Sequence, residues 1–194
     1  MMRKKLKLIY RAVIYFVSFP FALFYLCLRN LPNVNYKNVA ISISRIPGEL
    51  GITARQIFYR KTLAKCGQNL RVHFGAFIVY PEVEIGDNCT IEEFSIVSLC
   101  KIGNNVIVAA RTSIMSGGNH HEVDDLDLMF TESLLPLKTV YIGSNVWIGT
   151  HAVIMNDISS GTVIAAGAVV TKVFDKNTII GGVPANIIRL RGRE

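Results

Sequence analysis

Cysteine is scarce in this sequence of 194 residues, and the few cysteines present are not spaced for metal binding. There are four of them, with no Cys-x-x-Cys pair or similar zinc-binding spacing: Cys27, Cys66, Cys89 and Cys100. This pattern is typical of single reduced thiols in a cytoplasmic protein, and it excludes a disulfide framework as the basis of the fold.

Acidic residues are almost absent from the first third of the chain. Residues 1–65 contain twelve Lys and Arg but one acid, Glu49, whereas residues 66–194 contain nine Lys and Arg against thirteen Asp and Glu. The net charge of +7 therefore comes from the N-terminal third alone. A basic segment can bind nucleic acid or anionic lipid. Because this one flanks a long apolar run and has no aromatic stacking platform, we expect lipid and no nucleic acid.

The apolar run covers residues 12–28, seventeen uncharged residues interrupted only by Ser18 and Pro20. A secretory signal peptide is not favoured, since no small-residue cleavage site follows the run. Seventeen residues is the lower limit for crossing a hydrocarbon core of about 30 Å. Basic residues on both sides give no clear orientation, and Pro20 would kink a helix.

Three interpretations of this segment remain open. It can be a single short transmembrane helix, a kinked, re-entrant or interfacial helix whose two basic ends stay on the cytoplasmic face, or a helix packed against its own oligomer. We expect residues 1–30 to contact a membrane surface, at the cytoplasmic face of the inner membrane.

The pattern then changes along the chain. Residues 31–48 contain Asn and Pro and are expected to be a linker. Residues 49–65 have apolar side chains near one face of a helix, and Gly67 stands at a helix-stop position. We therefore expect a basic, apolar helical segment with its linker over residues 1–66 and a second domain over residues 67–194.

From residue 70 onward, aliphatic residues recur every six positions within successive runs. The runs are Ile85, Ile91 and Val97; Ile102, Val108 and Ile114; after a gap, Ile142, Ile148 and Ile154; and later Ile164 and Val170. Four residues after seven of them stands a small or β-branched side chain: Cys89, Ser95, Val106, Thr112, Val146, Ala152 and Ala168. A period of six with these occupancies predicts a parallel β-helix.

The physical basis of this prediction is the shape of one coil. Each unit of six residues forms one flat side of a triangular coil, and its aliphatic residue points inward to stack on the coils above and below. Gly or Asn at the corners permits the positive φ that tight turns need. An antiparallel sheet would show a period of two instead, which this sequence does not.

Two interruptions break the series. Residues 115–139 are too many for a simple connection and predict a projecting loop. Near residues 156–161 the series slips by two residues, which predicts a shortened corner. About ninety residues of repeat, at roughly eighteen per coil, predict about five coils.

The chain resembles the hexapeptide-repeat acyltransferases, which include galactoside, xenobiotic and serine acetyltransferases and O-acetyltransferases of capsule and lipopolysaccharide sugars. The matching motifs are SGGNHH at 116–121, IGSNVWIG at 142–149, IAAGAVVTK at 164–172 and GGVPA at 181–185. The resemblance implies an all-β, left-handed β-helix that follows N-terminal helices and ends in a short C-terminal helix. It also implies a homotrimer that transfers an acetyl group from acetyl-coenzyme A, with no metal.

The resemblance also indicates the catalytic base. A sugar hydroxyl does not ionise at neutral pH, so a base such as histidine must take its proton as it attacks the thioester. The family uses a histidine on the projecting loop within a Gly-x-Asn-His segment, and the best match makes His120 the catalytic residue. His121 is the competitor. Asn119, His121 and Trp147 are expected to contact the acceptor.

For coenzyme A, the resemblance implies contacts on the later coils. The residues concerned are Trp147, Ala165, Ala166, Thr171, Lys172 and Arg189. The two alanines lack bulk and let the pantetheine arm approach the backbone. Lys172 and Arg189 would suit the phosphates.

One departure puts the acceptor in doubt, because the asparagine with which galactoside acetyltransferases hold their sugar has no clear match, and Cys89 lies near that place. We expect O-acetylation of a sugar hydroxyl of a surface polysaccharide or its precursor. A non-catalytic trimer that scaffolds polysaccharide assembly is one alternative. A β-helical zinc carbonic anhydrase is another, and it would need His73, His151 and one of the loop histidines.

Overall fold

Three helices precede a long series of short strands in the computed structural model, which describes residues 2–118 and 120–192. The helices are α1 (Met2–Arg29), α2 (Tyr36–Ser44) and α3 (Gly48–Thr62). The strands are β1 (Lys65–Cys66), β2 (Arg71–Val72), β3 (Phe77–Ile78), β4 (Glu84–Ile85), β5 (Thr90–Ile91), β6 (Ile96–Val97), β7 (Cys100–Ile102), β8 (Ile107–Val108), β9 (Ser113–Ile114), β10 (Val140–Ile142), β11 (Trp147–Ile148), β12 (Val153–Ile154), β13 (Val163–Ile164), β14 (Val169–Val170), β15 (Thr178–Gly181) and β16 (Asn186–Leu190).

The first fifteen strands form the three flat faces of a triangular prism. Face 1 contains β1, β4, β7 and β10; face 2 contains β2, β5, β8, β11, β13 and β15; face 3 contains β3, β6, β9, β12 and β14. Every neighbour pair within these sets is parallel and one coil apart, as where Ile91 pairs with Val108. The predicted left-handed β-helix is confirmed. It has about six turns where five were expected, since pairing already begins at β1 and continues to β15.

The residues predicted to point inward form the core of the prism. All eleven aliphatic residues of the six-residue series are buried, and the most exposed of them, Ile102, retains 5% of its surface. Burying each such side chain stabilises the fold by about 1.5–3 kcal/mol. At the shortened corner, Ile158 takes the inward place four residues after Ile154 and bridges to Ile142 in the coil before. The stack therefore continues through the slip.

The corners follow two different rules. Between faces 1 and 2, the positive-φ residues are Asn69, Asn88, Asn105, Asn145, Gly161 and Asn177, as predicted. Asn88 joins its neighbours in a side-chain ladder: its Oδ1 accepts from Asn69 at 2.9 Å, and its Nδ2 donates to Asn105 at 3.3 Å. Between faces 2 and 3, the positive-φ residues are Gly75, Phe94, Arg111, His151 and Gly167. Phe94, Arg111 and His151 differ from the Gly or Asn that were expected there.

The linker predicted over residues 31–48 is wrong in its centre, because α2 forms there. Its N-cap is Asn35, whose side chain accepts a hydrogen bond from the Lys37 amide at 2.8 Å. Val39 and Ile43 are fully buried on its inner side. Packing of a short apolar stripe therefore stabilises a helix that the polar composition alone did not indicate.

Helices α2 and α3 cap the first coil, which has no preceding coil to pair with. The Tyr59 hydroxyl accepts a hydrogen bond from the Ile78 amide at 3.1 Å, and burial raises the pKa of Tyr59. Arg55 Nε donates to the Val72 carbonyl at 2.7 Å. The Gly75 amide donates to the carbonyl of Ser44, at the end of α2, at 2.8 Å.

The predicted short C-terminal helix is wrong, because residues 186–190 form a strand. This strand, β16, turns back at Gly182 (φ +98°) and pairs antiparallel with β15. Its β-branched Ile187 and Ile188 suit an extended strand, and β15 leaves an edge that β16 covers. The prism therefore ends in a hairpin.

Candidate active site

The projecting loop runs from the end of β9 to the start of β10, over residues 115–139 as predicted. Its two ends are held together at Ser116, which is buried. Ser116 Oγ accepts a hydrogen bond from the Leu99 amide at 2.9 Å and also contacts the Ser98 hydroxyl. Its carbonyl accepts from the Lys138 amide at 3.2 Å. The positions at which the loop leaves and rejoins the prism are therefore fixed by hydrogen bonds.

Both loop histidines are held by the returning half of the loop. His121 Nδ1 lies 2.7 Å from the Ser133 carbonyl oxygen, and the Ser133 hydroxyl accepts from the Glu122 amide at 2.6 Å. The Leu135 amide donates to the His120 carbonyl at 3.1 Å. The backbone around the histidines is thus fixed on both sides by residues 133–135.

The two imidazoles differ in their hydrogen bonding. Because a carbonyl oxygen only accepts, the His121 ring must donate from Nδ1, which leaves its Nε2 as the proton acceptor. The side chain of His121 is exposed. His120 is half-buried, and its Nε2 is buried with no hydrogen-bond partner among the described residues. Such an unpaired ring nitrogen is rare in folded proteins, and it is one of the features found at catalytic positions.

Among the described residues, the carboxylates of Glu122 and Asp125 accept hydrogen bonds from backbone amides and not from either imidazole. Glu122 Oε1 accepts from the Val123 and Asp124 amides at 2.9 Å each, and Asp125 Oδ1 accepts from the Asp127 amide at 3.0 Å. Their described partners are thus amides of their own loop turns. Asn119, predicted to contact the acceptor, lies outside the described residues.

A cleft of about 470 Å³ lies against the base of the loop. It is lined by Gly117, Gly118, Lys138, Met155, Asn156 and Thr171. The cleft brings the predicted catalytic loop beside Thr171, one of the predicted coenzyme residues. The sequence reasoning missed Lys138, Met155 and Asn156.

The shortened corner explains how Asn156 enters this cleft. Its Nδ2 donates to the Thr171 carbonyl at 3.1 Å, while its Oδ1 accepts from the Asp157 amide at 2.9 Å. The slip in the repeat at residues 156–161 was therefore the available signal for Asn156. Nothing in the sequence distinguished Lys138, since only the fold of the loop brings it to the cleft.

The other predicted coenzyme residues lie elsewhere on the chain. Trp147 is on face 2 with 55% of its surface exposed, and Ala165 and Ala166 lie where β13 of face 2 leads into β14 of face 3. Face 3 separates this group from Thr171. One side of a coil, at ~3.3 Å per residue, is roughly 15 Å wide. Within one chain, the predicted site residues therefore form two groups.

Lys172 and Arg189 lie at the C-terminal end of the prism. Lys172 Nζ is 3.3 Å from Asn186 Oδ1 and 5.4 Å from the centre of the Phe174 ring. It borders a groove of about 1370 Å³ that runs along face 1 past Lys101. Arg189 is on β16, and its Nη1 donates to the Leu190 carbonyl at 3.1 Å. Both predicted phosphate-binding cations thus lie near the same end of the prism.

The four histidines do not gather into a metal site within the described chain. His73 pairs with Glu93 at 2.9 Å, and His151 occupies an exposed corner. Among residues 2–118 and 120–192, no three His, Cys, Asp or Glu side chains group as metal ligands.

Two relatives decide the family. Galactoside O-acetyltransferase of Escherichia coli (strain K12) is 29% identical over 150 residues, which cover 71% of this chain and 69% of the relative. WbbJ of the same strain, described as a lipopolysaccharide biosynthesis O-acetyl transferase, is 30% identical over 137 residues, 66% of this chain and 69% of the relative. This chain belongs to the hexapeptide-repeat acyltransferase family. No protein-family model matches the chain.

Solved structures agree with this assignment. A maltose O-acetyltransferase from Clostridium difficile 630 superposes on the acyltransferase with a TM-score of 0.72 at 25% identity, covering 88% of this chain and 89% of its own. A galactoside acetyltransferase in complex with coenzyme A gives 0.68 at 27% identity, covering 79% and 78%. The likeness therefore includes part of the N-terminal helices as well as the prism.

The structure places Cys89 in the core of the prism. It is buried, and its Sγ donates to the Gly103 carbonyl at 3.1 Å. Burial raises the pKa of this thiol. Cys89 therefore faces the core and is not available to hold an acceptor.

Proposed function

We propose that this acyltransferase moves the acetyl group of acetyl-coenzyme A to a sugar hydroxyl of a surface polysaccharide or its precursor. The observation that supports it most is the cleft that the loop glycines Gly117 and Gly118 share with Thr171. It places a histidine-bearing loop beside a segment that matches the coenzyme-binding motif of the family. The names of the galactoside, maltose and lipopolysaccharide relatives favour a sugar as the acceptor.

In this mechanism His120 is the general base. Its imidazole takes the proton of the acceptor hydroxyl while the oxygen attacks the thioester carbonyl carbon, and a new C–O bond forms. The C–S bond then breaks, the acetyl group stays on the sugar oxygen, and the imidazolium returns its proton to the thiolate of coenzyme A. The two glycines at the cleft let the thioester approach the backbone, because neither carries a side chain there.

Thr171, Lys172 and Arg189 are the residues of one subunit that we propose for the coenzyme. The two cations would attract the phosphate groups. Trp147 and the alanine pair Ala165-Ala166 would line the other wall of the same cleft. Since face 3 separates these two groups in one chain, the second wall must come from a neighbouring subunit.

A homotrimer is therefore part of the proposal. Exposed apolar side chains support it, because they cluster on faces 2 and 3 and at the corner between them: Phe94, Ile96, Ile107 and Trp147. Contiguous apolar surface of this kind marks protein interfaces. Closed threefold symmetry would bring the loop of each subunit against face 2 of the next and complete three equivalent sites.

Mixing two inactive variants tests whether the site is shared. His120→Ala removes the base, and Ala166→Arg fills the other wall. If each site uses the loop of one subunit and Ala166 of the next, every trimer that contains both variants has one intact site in three and regains about a third of wild-type activity. The measurement is thioester cleavage by the mixed trimer, with each homotrimer as control. Absence of any recovery in trimers shown to contain both variants would place both groups in one subunit.

The acceptor class is tested by an acetyl-transfer assay. We expect release of free thiol from acetyl-coenzyme A to depend on a hydroxyl-bearing acceptor, drawn from nucleotide sugars and lipid-linked sugars, and the product to contain an alkali-labile ester. An amide product would show that the acceptor group is an amine and not the proposed hydroxyl. If a folded trimer neither binds coenzyme A in calorimetry nor cleaves the thioester, the proposal fails in favour of a scaffold.

We also propose that the enzyme works at the cytoplasmic face of the inner membrane. Within the described residues, Lys5–Arg29 of α1 has the length and apolar composition of a membrane-crossing helix, with 11% of its most apolar stretch buried. The basic residues of the N-terminal third would meet anionic headgroups there. The enzyme would then lie at the same membrane surface as a lipid-linked acceptor.

A further inference from the structure

The helix α1 has two faces that differ in their surroundings. At 3.6 residues per turn, one stripe, here called the inner stripe, contains Lys7, Arg11, Ile14, Ser18, Ala22, Tyr25 and Arg29. The opposite side, here called the outer face, contains Leu6, Ile9, Val13, Phe16, Pro20, Leu23 and Phe24. The inner stripe holds every described cation of the helix except Lys5, which lies near its free end.

The inner stripe is attached to the rest of the protein. Ser18 Oγ donates to the Leu50 carbonyl in α3 at 3.1 Å, and Ser18 and Ala22 are fully buried. Tyr25 and Leu26 pack against the core that α2 and α3 share with the first coil. From Ser18 onward, therefore, one side of α1 is covered by protein and not available to lipid.

The outer face is strongly exposed, and the ring contact of its Phe24 is with the adjacent Tyr25 of α1 itself. Phe16 in its centre keeps 82% of its surface, and Leu6, Ile9 and Phe24 each keep more than half. An apolar face on one side of a helix, with cations and protein on the other, is the pattern of a helix that lies in the plane of a membrane interface.

Length argues against crossing. The part of α1 that projects beyond its attachment, residues 5–17, is about 20 Å long at ~1.5 Å per residue, shorter than a hydrocarbon core of about 30 Å. It also contains Lys5, Lys7 and Arg11. A crossing segment that continued past Ser18 would have to draw α3 into the membrane, and the neighbouring Arg60 and Lys61 of α3 are exposed.

Charge selects lipid over a second copy of the chain as the occupant of the outer face. The first 65 residues have twelve basic residues and one acid. Because two such segments repel each other, contact between copies through α1 is disfavoured, whereas an anionic bilayer neutralises them. The cap formed by α2 and α3 places α1 at the N-terminal end of the prism.

We infer that α1 is a monotopic anchor, which lies in the plane of an anionic bilayer surface with its outer face among the acyl chains and does not cross. This inference is independent of the proposed acetyl transfer. The prism then stands on the membrane by its N-terminal end, with residues 1–30 on one side of the bilayer.

Vesicle sedimentation tests the binding surface. The full-length protein is expected to sediment with phosphatidylcholine vesicles that contain phosphatidylglycerol and much less with phosphatidylcholine alone. Phe16→Glu should reduce the partition coefficient at least ~10-fold, because a charge replaces the central apolar contact. Leu126→Glu, at an even more exposed apolar residue on the projecting loop, is the matched control and should bind as wild type. Equal loss in both variants, or a change in oligomeric mass in Phe16→Glu with unchanged vesicle binding, would overturn the inference.

Thiol labelling distinguishes an α1 helix that lies on the bilayer surface from one that crosses the bilayer. Lys5→Cys and Asn30→Cys are made singly in a Cys27→Ser, Cys66→Ser background, and the protein is added to sealed anionic vesicles. A membrane-impermeant maleimide added outside should label both positions. If Cys at position 5 reacts only after detergent while position 30 reacts before it, α1 crosses and the inference is wrong.

Discussion

Replacing His120 with Ala is expected to lower kcat by about 10²–10⁴-fold and to leave the affinity for coenzyme A nearly unchanged. The reason is that the acceptor hydroxyl keeps its proton at neutral pH, so attack without a base is slow, whereas the proposed coenzyme contacts are at Thr171 and Lys172. Steady-state kinetics with acetyl-coenzyme A gives kcat, and calorimetry gives the coenzyme affinity.

The neighbouring His121 provides the control for this experiment. His121→Asn keeps a donor near the position of Nδ1, so the hydrogen bond to the Ser133 carbonyl can remain while the basic Nε2 is lost. If His120 is the base, His121→Asn should reduce kcat by no more than about 10-fold, an effect on loop position. The opposite pattern, with His121→Asn inactive and His120→Ala close to wild type, would move the catalytic role to His121.

The prism could be predicted from the sequence because one rule repeats. The coils stack through inward aliphatic residues, so the period of six recurs along the eleven residues of the series and survives local exceptions. Even the slip at 156–161 could be detected as an irregular interval between inward aliphatic residues, and Ile158 takes the inward position there. The loop at 115–139 was visible for the same reason, since it is where the rule stops.

Features that depend on how a helix or an end strand packs on the prism could not be predicted from the sequence. Helix α2 forms because Val39 and Ile43 meet the first coil, and a stretch of nine residues has too few of them to show a period. Strand β16 replaces the expected helix because β15 offers an edge. At the corners between faces 2 and 3, Phe94, Arg111 and His151 adopt positive φ, since the coil geometry outweighs a local preference that favours Gly and Asn.

The division of the predicted site was also hidden in the sequence. The motifs at 142–149 and 164–172 follow each other closely along the chain, which suggested one pocket. The fold places Trp147 and Thr171 on either side of face 3, because six residues suffice to reach the next corner. The homotrimer and the membrane contact of residues 1–30 stay predictions, and each has its own test above.

Arg55 is the polar residue on which attachment of the helices to the prism depends most. It is fully buried in α3. Nε donates to Val72 of the first coil, and Nη1 donates to the carbonyls of Ile43, Ser44 and Ile46 at 2.9–3.2 Å. Two of these carbonyls, those of Ile43 and Ser44, end α2, where the helix dipole favours a cation. Burial lowers the pKa of the guanidinium to about 10, so Arg55 is still protonated at neutral pH.

Arg55→Met is therefore expected to destabilise the cap by about 3–5 kcal/mol, because the buried carbonyls lose their donors and a side chain of similar length cannot replace them. Arg60→Met, on the exposed end of the same helix, is the matched control and should change stability by less than about 0.5 kcal/mol. Arg55→Lys should fall between the two, since an ammonium reaches fewer of the four oxygens than the planar guanidinium does.

Coiled repeats can unfold in parts, so hydrogen exchange resolved along the chain is the appropriate measurement, with thermal unfolding beside it. Exchange in Arg55→Met should rise in α2, α3 and the first coil, while the coils after β10 keep wild-type protection. Uniform protection equal to that of Arg60→Met would show that apolar packing of α3 alone holds the cap, and that the guanidinium contributes nothing.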